Sequence, residues 1–223
     1  MKAKPSKFQG VFNVDGKFAT INLVPGKKVY GEELFKQDGV EYRVWDYTRS
    51  KPAAALKKGL NVFPLEKGMK ILYLGVASGT TASHFSDIIG KDGIIYGVDI
   101  AERVLRDLVS VAEARGNILP MLADSRKPEE YENQIFEQVD VVFEDVASDD
   151  QIPILIRNSE KFLKSHGIAM IAIKSQSIDV TRDPQEIYKE ALVKLEEHFD
   201  IIDKVELDPY EKHHLFVVMK FRR

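Results

Sequence analysis

Five short apolar runs, each followed by a helical pattern, constrain this 223-residue chain more than any other feature. They are KILYLG (70–75), GIIYGVD (93–99), NILPMLAD (117–124), VDVVFED (139–145) and GIAMIAIKS (167–175). A strand with one face in water alternates apolar and polar residues, and these do not. They predict a parallel sheet covered by helices on both faces. The intervening helices include AERVLRDLVSVAEARG and QIPILIRNSEKFLKSHG, the second expected to end at Gly167 as its C-cap. A further helix over RDPQEIYKEALVKLEEHF has Asp183 to cap it, Pro184 in its first turn and Glu186 at the capping-box position. The last two runs, FDIIDKVELD and HHLFVVMKF, are separated only by PYEK. That link is too short for a crossover helix, so an antiparallel hairpin at the sheet edge is expected.

Residues 1–48 have a different texture. VFNVDGKFATINLV and FKQDGVEYRVW each place Asp-Gly between strand-like runs, and VPGKKVY supplies a Pro25-Gly26 turn. These features predict a small all-β meander domain over 1–48, followed by an α/β domain over 49–223. A meander of this size rarely stands alone and should pack on the α/β domain. Tyr30, Tyr42, Trp45 and Tyr47 read as its packing residues.

Composition narrows the function classes. The chain has no cysteine, which excludes disulfides and thiolate zinc sites. Its opening MKAKPSKFQG has no apolar core of a signal peptide, and runs such as GIAMIAI are too short to span a bilayer. A cytoplasmic protein without a membrane partner is expected. Net charge is −3, with 35 acidic against 32 basic residues. A protein that held RNA unaided would show a basic excess, because phosphate neutralisation supplies most of that affinity. Either nucleic acid is not the partner, or another subunit does most of the holding.

In an open α/β sheet, ligands bind beyond the carboxyl ends of the strands. The five runs end in Gly75, Asp99, Asp124, Asp145 and Lys174. After the first comes GVASG, from Gly75 to Gly79. A dinucleotide loop, G-x-G-x-x-G, would have glycine where Ala77 and Thr80 stand. The loop is small enough for close approach, but its grip on a pyrophosphate is weak. Asp99 lies ~20 residues on, where an acidic side chain accepts from ribose hydroxyls. Asp124 is placed to accept from an adenine amino group. Ribose and base without diphosphate describe S-adenosylmethionine; a nicotinamide-binding variant is the alternative, and the terminal hairpin favours the former. His84, His166 and His198 have no metal-ligand spacing and read as surface or packing residues, so no metal site is expected.

GKKVYGEE, YRVWDYTRSKPAAALKKGL, KILYLGVASGTT, FEDVA, IAIKSQSIDVTRDPQEIY and YEKHHLFVV resemble the fibrillarin family in its archaeal form, over essentially the whole chain. The resemblance implies a class I, Rossmann-like methyltransferase sheet. It implies methyl transfer from S-adenosyl-L-methionine to a ribose 2′-hydroxyl of ribosomal RNA, and of transfer RNA. The implied setting is a box C/D ribonucleoprotein. Its parts are guide RNA, target RNA, a Nop-domain scaffold protein and a kink-turn-binding ribosomal-type protein. Such partners would hold the RNA, in keeping with the acidic balance. Cofactor contacts are implied at Thr80, Thr81, Asp99, Ile100, Asp124, Ser125, Asp145, Val146, Ala147 and Ser148, beside the loop residues Gly75, Ala77 and Gly79. Relatives commonly have Glu and then an aromatic at the Asp99-Ile100 positions, so a stacking contact is lost here. Many carry Gln at the Ser148 position, and the next amide in this chain is Gln151.

The implied catalytic set is Lys51, Asp145, Lys174 and His214. Of the pair His213-His214, the second matches the family position better. A ribose hydroxyl is a poor nucleophile, so the site must align it with the methyl sulfonium and ease removal of its proton. Lysine titrates too high to be a base at neutral pH unless a second cation or desolvation intervenes. The expectation is therefore Lys174 as base, Lys51 as the second cation, Asp145 orienting both, and His214 hydrogen-bonding the ribose or the catalytic group. Two other classes stay open: a stand-alone small-molecule O-methyltransferase, turning over without RNA partners, and a structural subunit with a decayed pocket. Intact Asp99, Asp124, Asp145 and Lys174 argue against the latter.

Overall fold

Asp15 and Gly16 hold φ of 47° and 79°, and Asp38 and Gly39 hold 51° and 81°. Paired positive values match a tight turn to the twist of its strands, so both Asp-Gly pairs close hairpins. The computed structural model describes residues 2–223. Its first five strands are β1 (Ala3–Pro5), β2 (Val11–Val14), β3 (Lys17–Ile21), β4 (Leu34–Gln37) and β5 (Val40–Trp45). They form an antiparallel sheet in the order β1-β2-β3-β5-β4, so the expected meander holds only for its first three strands. Residues 22–33 carry the chain across the sheet. The Glu32 carboxylate fixes that crossing by accepting from the amides of Val29 and Tyr30. β5 is thereby interior, between β3 and β4, and its Arg43 and Trp45 reach the next layer.

The second sheet has seven strands. In chain order its elements are α1 (Lys51–Lys57), β6 (Lys70–Leu74), α2 (Thr80–Ile89), β7 (Ile94–Asp99), α3 (Glu102–Arg115) and β8 (Ile118–Leu122). Then come β9 (Val139–Glu144), α4 (Gln151–Phe162), β10 (Leu163–Lys174), α5 (Ser175–Ile178), α6 (Pro184–Glu196), β11 (Phe199–Glu206) and β12 (His214–Phe221). The strand order is β11-β12-β10-β9-β6-β7-β8. The five predicted runs are parallel neighbours. β12 is antiparallel to both β11 and β10 and slots between them, so only β11 lies at the edge.

Two local expectations are revised. α4 stops at Phe162, and Gly167 lies inside β10 rather than capping a helix. Leu163 is 2 % exposed and pairs with Val139 of β9; that burial and pairing displace another helical turn. The surplus residues form a bulge between Leu163 and Ile168, with His166 at φ 58°. At α6, Asp183 caps by accepting from the Gln185 amide at 2.8 Å, while Glu186 turns toward Arg182 at 3.7 Å. The N-cap forms without a reciprocal bond from the box.

Strand alternation sorts the core into two layers. Ile71, Tyr73, Phe143, Met170, Ala172 and Phe216 face α1, α2 and α3. Leu72, Leu74, Val142, Ile171, Ile173 and Val217 face α4 and α6. The N-terminal sheet packs outside α2 through polar groups as well as the apolar Phe8, Val11 and Trp45. Arg43 is fully buried between Glu32 (2.7 Å) and Asp87 (2.9 Å), and Arg115 of α3 also pairs with Asp87. His84 is completely buried. Its Nδ1 lies 2.8 Å from the Thr20 hydroxyl, its Nε2 2.8 Å from that of Tyr30, and its ring stacks on Trp45. Burial, then the nearby Arg43 and Arg115, hold its pKa well below the ordinary 6.5, so it packs as a neutral ring. Trp45 belongs to the main core, where Phe63 and Phe85 meet its edge.

Candidate functional site

From β6 the chain proceeds to β7 and β8 on one side of the sheet, then returns to β9 and β10 on the other. A cleft opens at the carboxyl ends where this reversal occurs. Its two lips are tied together, because the Asp145 amide donates to the Leu74 carbonyl at 2.9 Å. Gly75 has φ 78°, and a Cβ there would lie 2.5 Å from the Asp145 carbonyl oxygen. Only glycine permits this approach.

The loop then anchors Asp99. Its carboxylate accepts from the Ala77 amide at 2.8 Å and from the Ala101 amide at 2.9 Å, one bond to each oxygen. Each oxygen retains a second acceptor position. Asp99 lines a cleft of about 420 Å³, together with Gly75, Ala77, Ile100, Asp124, Ser125 and the segment Asp145 to Ser148. That volume suits a small organic ligand. Val98, Ala123 and Ile154 add apolar wall, and Ile100 stands at the rim, 64 % exposed.

Asp124 is not a bare acceptor. Arg126 donates to both of its oxygens, with contacts of 2.8 to 3.0 Å, and adds its amide at 3.0 Å. These bonds hold the Asp124 carboxyl below the usual carboxylate range. Sequence reasoning misses Arg126, since an exposed arginine just past a strand has no distinguishing pattern.

Four of the residues implied as cofactor contacts or offered beside them lie outside the cleft lining, as do Lys51, Lys174 and His214 of the catalytic set. Gly79, at φ 93°, is the N-cap of α2, and Thr80 faces a second groove behind the loop. Thr81 is buried, its hydroxyl 2.9 Å from that of Ser50, which in turn accepts from the Trp45 indole at 2.9 Å. Gln151 is fully buried: its amide donates to the carbonyls of Ser148 and Lys174 and accepts from the Lys174 amide. It braces the ends of two segments, with both amide N–H donors used and its oxygen already accepting one bond.

The catalytic set is assembled by alternation. Asp145 and Lys174 follow the β9 and β10 residues that face α1, His214 precedes those of β12 on the same face, and Lys51 is the first residue of α1. Lys51 bonds both Asp145 oxygens, at 2.7 and 2.9 Å. Asp145 therefore orients Lys51 alone. Among the described residues Lys174 has no carboxylate within ion-pair distance, which corrects the expectation that Asp145 holds both lysines. Lys174 instead pairs in register with His214 across β10 and β12.

The His213-His214 ambiguity resolves geometrically. His213 is at φ 60° in the connecting loop, its carbonyl accepting from the Ser175 amide. His214 is 6 % exposed, and its Nδ1 donates to the Lys212 carbonyl at 2.8 Å. Burial lowers its pKa below 6.5; the Lys212 bond opposes this and the charge on Lys51 adds to it. The ring is therefore neutral at neutral pH, with the lone pair on Nε2.

The fibrillarin family profile matches residues 2–223. This chain belongs to that family. A fibrillarin-like rRNA/tRNA 2′-O-methyltransferase of Pyrococcus furiosus is 52% identical, over 99% of each chain. Its counterpart in Thermococcus onnurineus is 53% identical, over 99% of this chain and 100% of that one. Among solved structures, the Methanococcus jannaschii fibrillarin pre-rRNA processing protein superposes with TM-score 0.94 at 47% identity, covering 99% and 97% of the two chains. An Aeropyrum pernix fibrillarin with natively bound S-adenosyl-L-methionine gives 0.90 at 46% identity, covering 98% of each. A fibrillarin/Nop5p complex gives 0.88 at 38% identity, covering 96% and 98%.

Proposed function

We propose that this fibrillarin transfers a methyl group from S-adenosyl-L-methionine to a ribose 2′-hydroxyl of ribosomal or transfer RNA, as the catalytic subunit of a box C/D guide particle. The observation that carries the reading is that Asp145 both lines the cleft and holds Lys51. Lys174 and His214 leave the sheet on the same face beside it.

The residues fit that cofactor. Asp99 presents two fixed carboxylate oxygens to paired ribose hydroxyls, Ile100 and Ala123 offer apolar surface to the base, and Gly75 keeps the loop clear of side chain. When bound, S-adenosylmethionine supplies a methyl group on a cationic sulfur, already a good electrophile. The protein's own task is to place the hydroxyl and move its proton. Lys174, at the end of β10 beside Asp145, is the group placed to take that proton. His214, its cross-strand partner, keeps an Nε2 lone pair to accept from the ribose hydroxyl or the Lys174 amine. Lys51, fixed by Asp145, adds positive potential at the mouth of the site.

A Nop-domain scaffold protein binds this subunit, and guide RNA with a kink-turn-binding protein completes the particle. The test uses purified protein, labelled S-adenosylmethionine and target RNA, with and without guide and partners. Methyl incorporation confined to the guide-paired ribose supports the proposal. Failure in a verified intact particle rejects it, and turnover on small hydroxylated molecules without RNA would favour a stand-alone enzyme.

A further inference from the structure

Behind the Gly75–Gly79 loop lies a second groove, of about 530 Å³, between the N-terminal sheet and α3. The chain as a whole is acidic, yet five of the six charged residues lining this groove are cations. Arg115 is spent on Asp87, and Arg106 bonds Glu102. Lys27, Lys28 and Arg49 remain exposed, and among the described residues they have no carboxylate within ion-pair distance. With Asp107 the one acidic residue in the lining, these three cations make the rim a local positive patch on a net-negative protein, suited to an external anion.

The groove's position says which anion. Arg49 is two residues before Lys51; of the lining, Ser78 belongs to the loop that walls the cofactor cleft and Thr80 opens α2 just after it. A strand that delivered a ribose to Lys174 and continued toward the N-terminal sheet would meet Arg49 and then the 27–28 turn. The guanidinium of Arg49 lies 5.3 Å from the centre of the Tyr30 ring. That ring is itself fixed, its hydroxyl bonded to His84 and to the Val44 carbonyl. Arg49 thus occupies the aromatic face, which leaves charge rather than base stacking as the means of recognition.

We infer that Lys27, Lys28 and Arg49 form a track for the phosphodiester backbone of the RNA strand flanking the methylated ribose. This rests on the RNA-directed reading above. Phosphate contacts carry no sequence information, which suits a subunit whose target is chosen by a guide. It also reconciles RNA contact with overall acidity, since only one rim needs positive charge.

The test is a fluorescence-anisotropy titration of the isolated full chain with a labelled single-stranded RNA of mixed sequence. The variant combines Lys27→Gln, Lys28→Gln and Arg49→Gln; the control combines Lys189→Gln and Lys204→Gln on the distant α6–β11 groove. The track variant is expected to lose tenfold or more in affinity. Its slope of log affinity against log salt should fall by about 2, at ~0.7 per lost phosphate contact on a single strand. The control should bind as the parent does. Equal binding by parent and track variant, or no saturable binding by the parent, overturns the inference. A poly-glutamate peptide binding the groove more tightly than RNA would also overturn it, in favour of an acidic protein partner. No methyl donor is present, so the outcome is independent of transfer: loss of methylation with RNA binding intact would count against the proposed activity instead.

Discussion

Lys174 and His214 are direct cross-strand partners in the antiparallel pair β10–β12, on the sheet face that carries Asp145. Neighbouring side chains in such a pair are held within mutual reach by the ladder itself. Lys174→Arg keeps a cation but presents a group that does not lose a proton at neutral pH. Methyl transfer should fall by about 10²-fold or more, while S-adenosylmethionine affinity in a calorimetric titration stays within a factor of about three. A fully active Lys174→Arg protein would remove this residue from proton transfer.

The neutral state of His214 has its own signature in pH. Burial lowers its pKa from the ordinary 6.5, so protonation, and loss of the Nε2 acceptor, occurs only below that value. The single-turnover rate should therefore show an inflection below pH 6.5 that is absent in His214→Asn. An inflection in that range that persists in the variant would show that another group produces it.

Gly75 couples the loop to the catalytic carboxylate. Gly75→Ala meets the Asp145 carbonyl at 2.5 Å and also strains a φ of 78°. The β9 end must move, and Asp145 with it. Cofactor binding and transfer should both drop at least tenfold. Gly116→Ala is the control, because it has a similar φ of 73° but nothing within 4 Å of the added carbon. It should cost about 1 kcal/mol of stability and leave activity alone. Equal effects at the two sites would mean that backbone strain, not the contact, is responsible.

Much of this arrangement is legible in the sequence because strands end where apolar runs end. Gly75, Asp99, Asp145 and Lys174 fall at or one residue past the ends of β6, β7, β9 and β10, and Asp124 falls two past β8. What the runs do not encode is side-chain pairing at a distance. Asp145 choosing Lys51 over Lys174, Arg126 clamping Asp124, and Gln151 turning inward each depend on partners brought close only by the fold. His84 and Trp45 show the same limit: a lone histidine gives no sign that it will be sealed under another sheet. The α4–β10 boundary is hidden because Gly167 resembles a helix stop, whereas pairing of Leu163 with Val139 decides the matter.

Glu144 is the neighbour of Asp145 but points to the opposite face, fully buried, with neither carboxylate oxygen hydrogen-bonded among the described residues. Burial raises its pKa well above 4.5, and the charge on Asp145 adds to this. A raised native pKa means stability is fully present below the unfolded value and is lost as pH rises toward the native one. Glu144→Gln keeps the shape and removes the proton dependence. The two proteins should melt alike near pH 4.5, and the variant should melt several degrees higher by about pH 8, roughly 2–4 °C for each kcal/mol recovered. A variant no more stable in that alkaline range would mean that Glu144 finds a partner in solution.

Arg43 is the fastener of the two sheets. It is fully buried, with Glu32 of the crossing segment on one side and Asp87 of α2 on the other, and it also donates to the Ser83 hydroxyl at 2.9 Å. Burial by itself would raise the Glu32 carboxyl, yet Arg43 and the amides of Tyr30 and Val29 bring it below its ordinary 4.5. Arg43→Leu fills most of the volume but leaves Glu32 short of its counter-charge, while Asp87 keeps Arg115. Breaking one partner of a buried pair costs about 3–5 kcal/mol, so melting should fall by roughly 10 °C in a protein of this size. Adding Glu32→Gln should restore part of that loss, because the stranded charge is then removed. If the double variant melts no higher than Arg43→Leu alone, lost packing rather than an uncompensated carboxylate accounts for the damage.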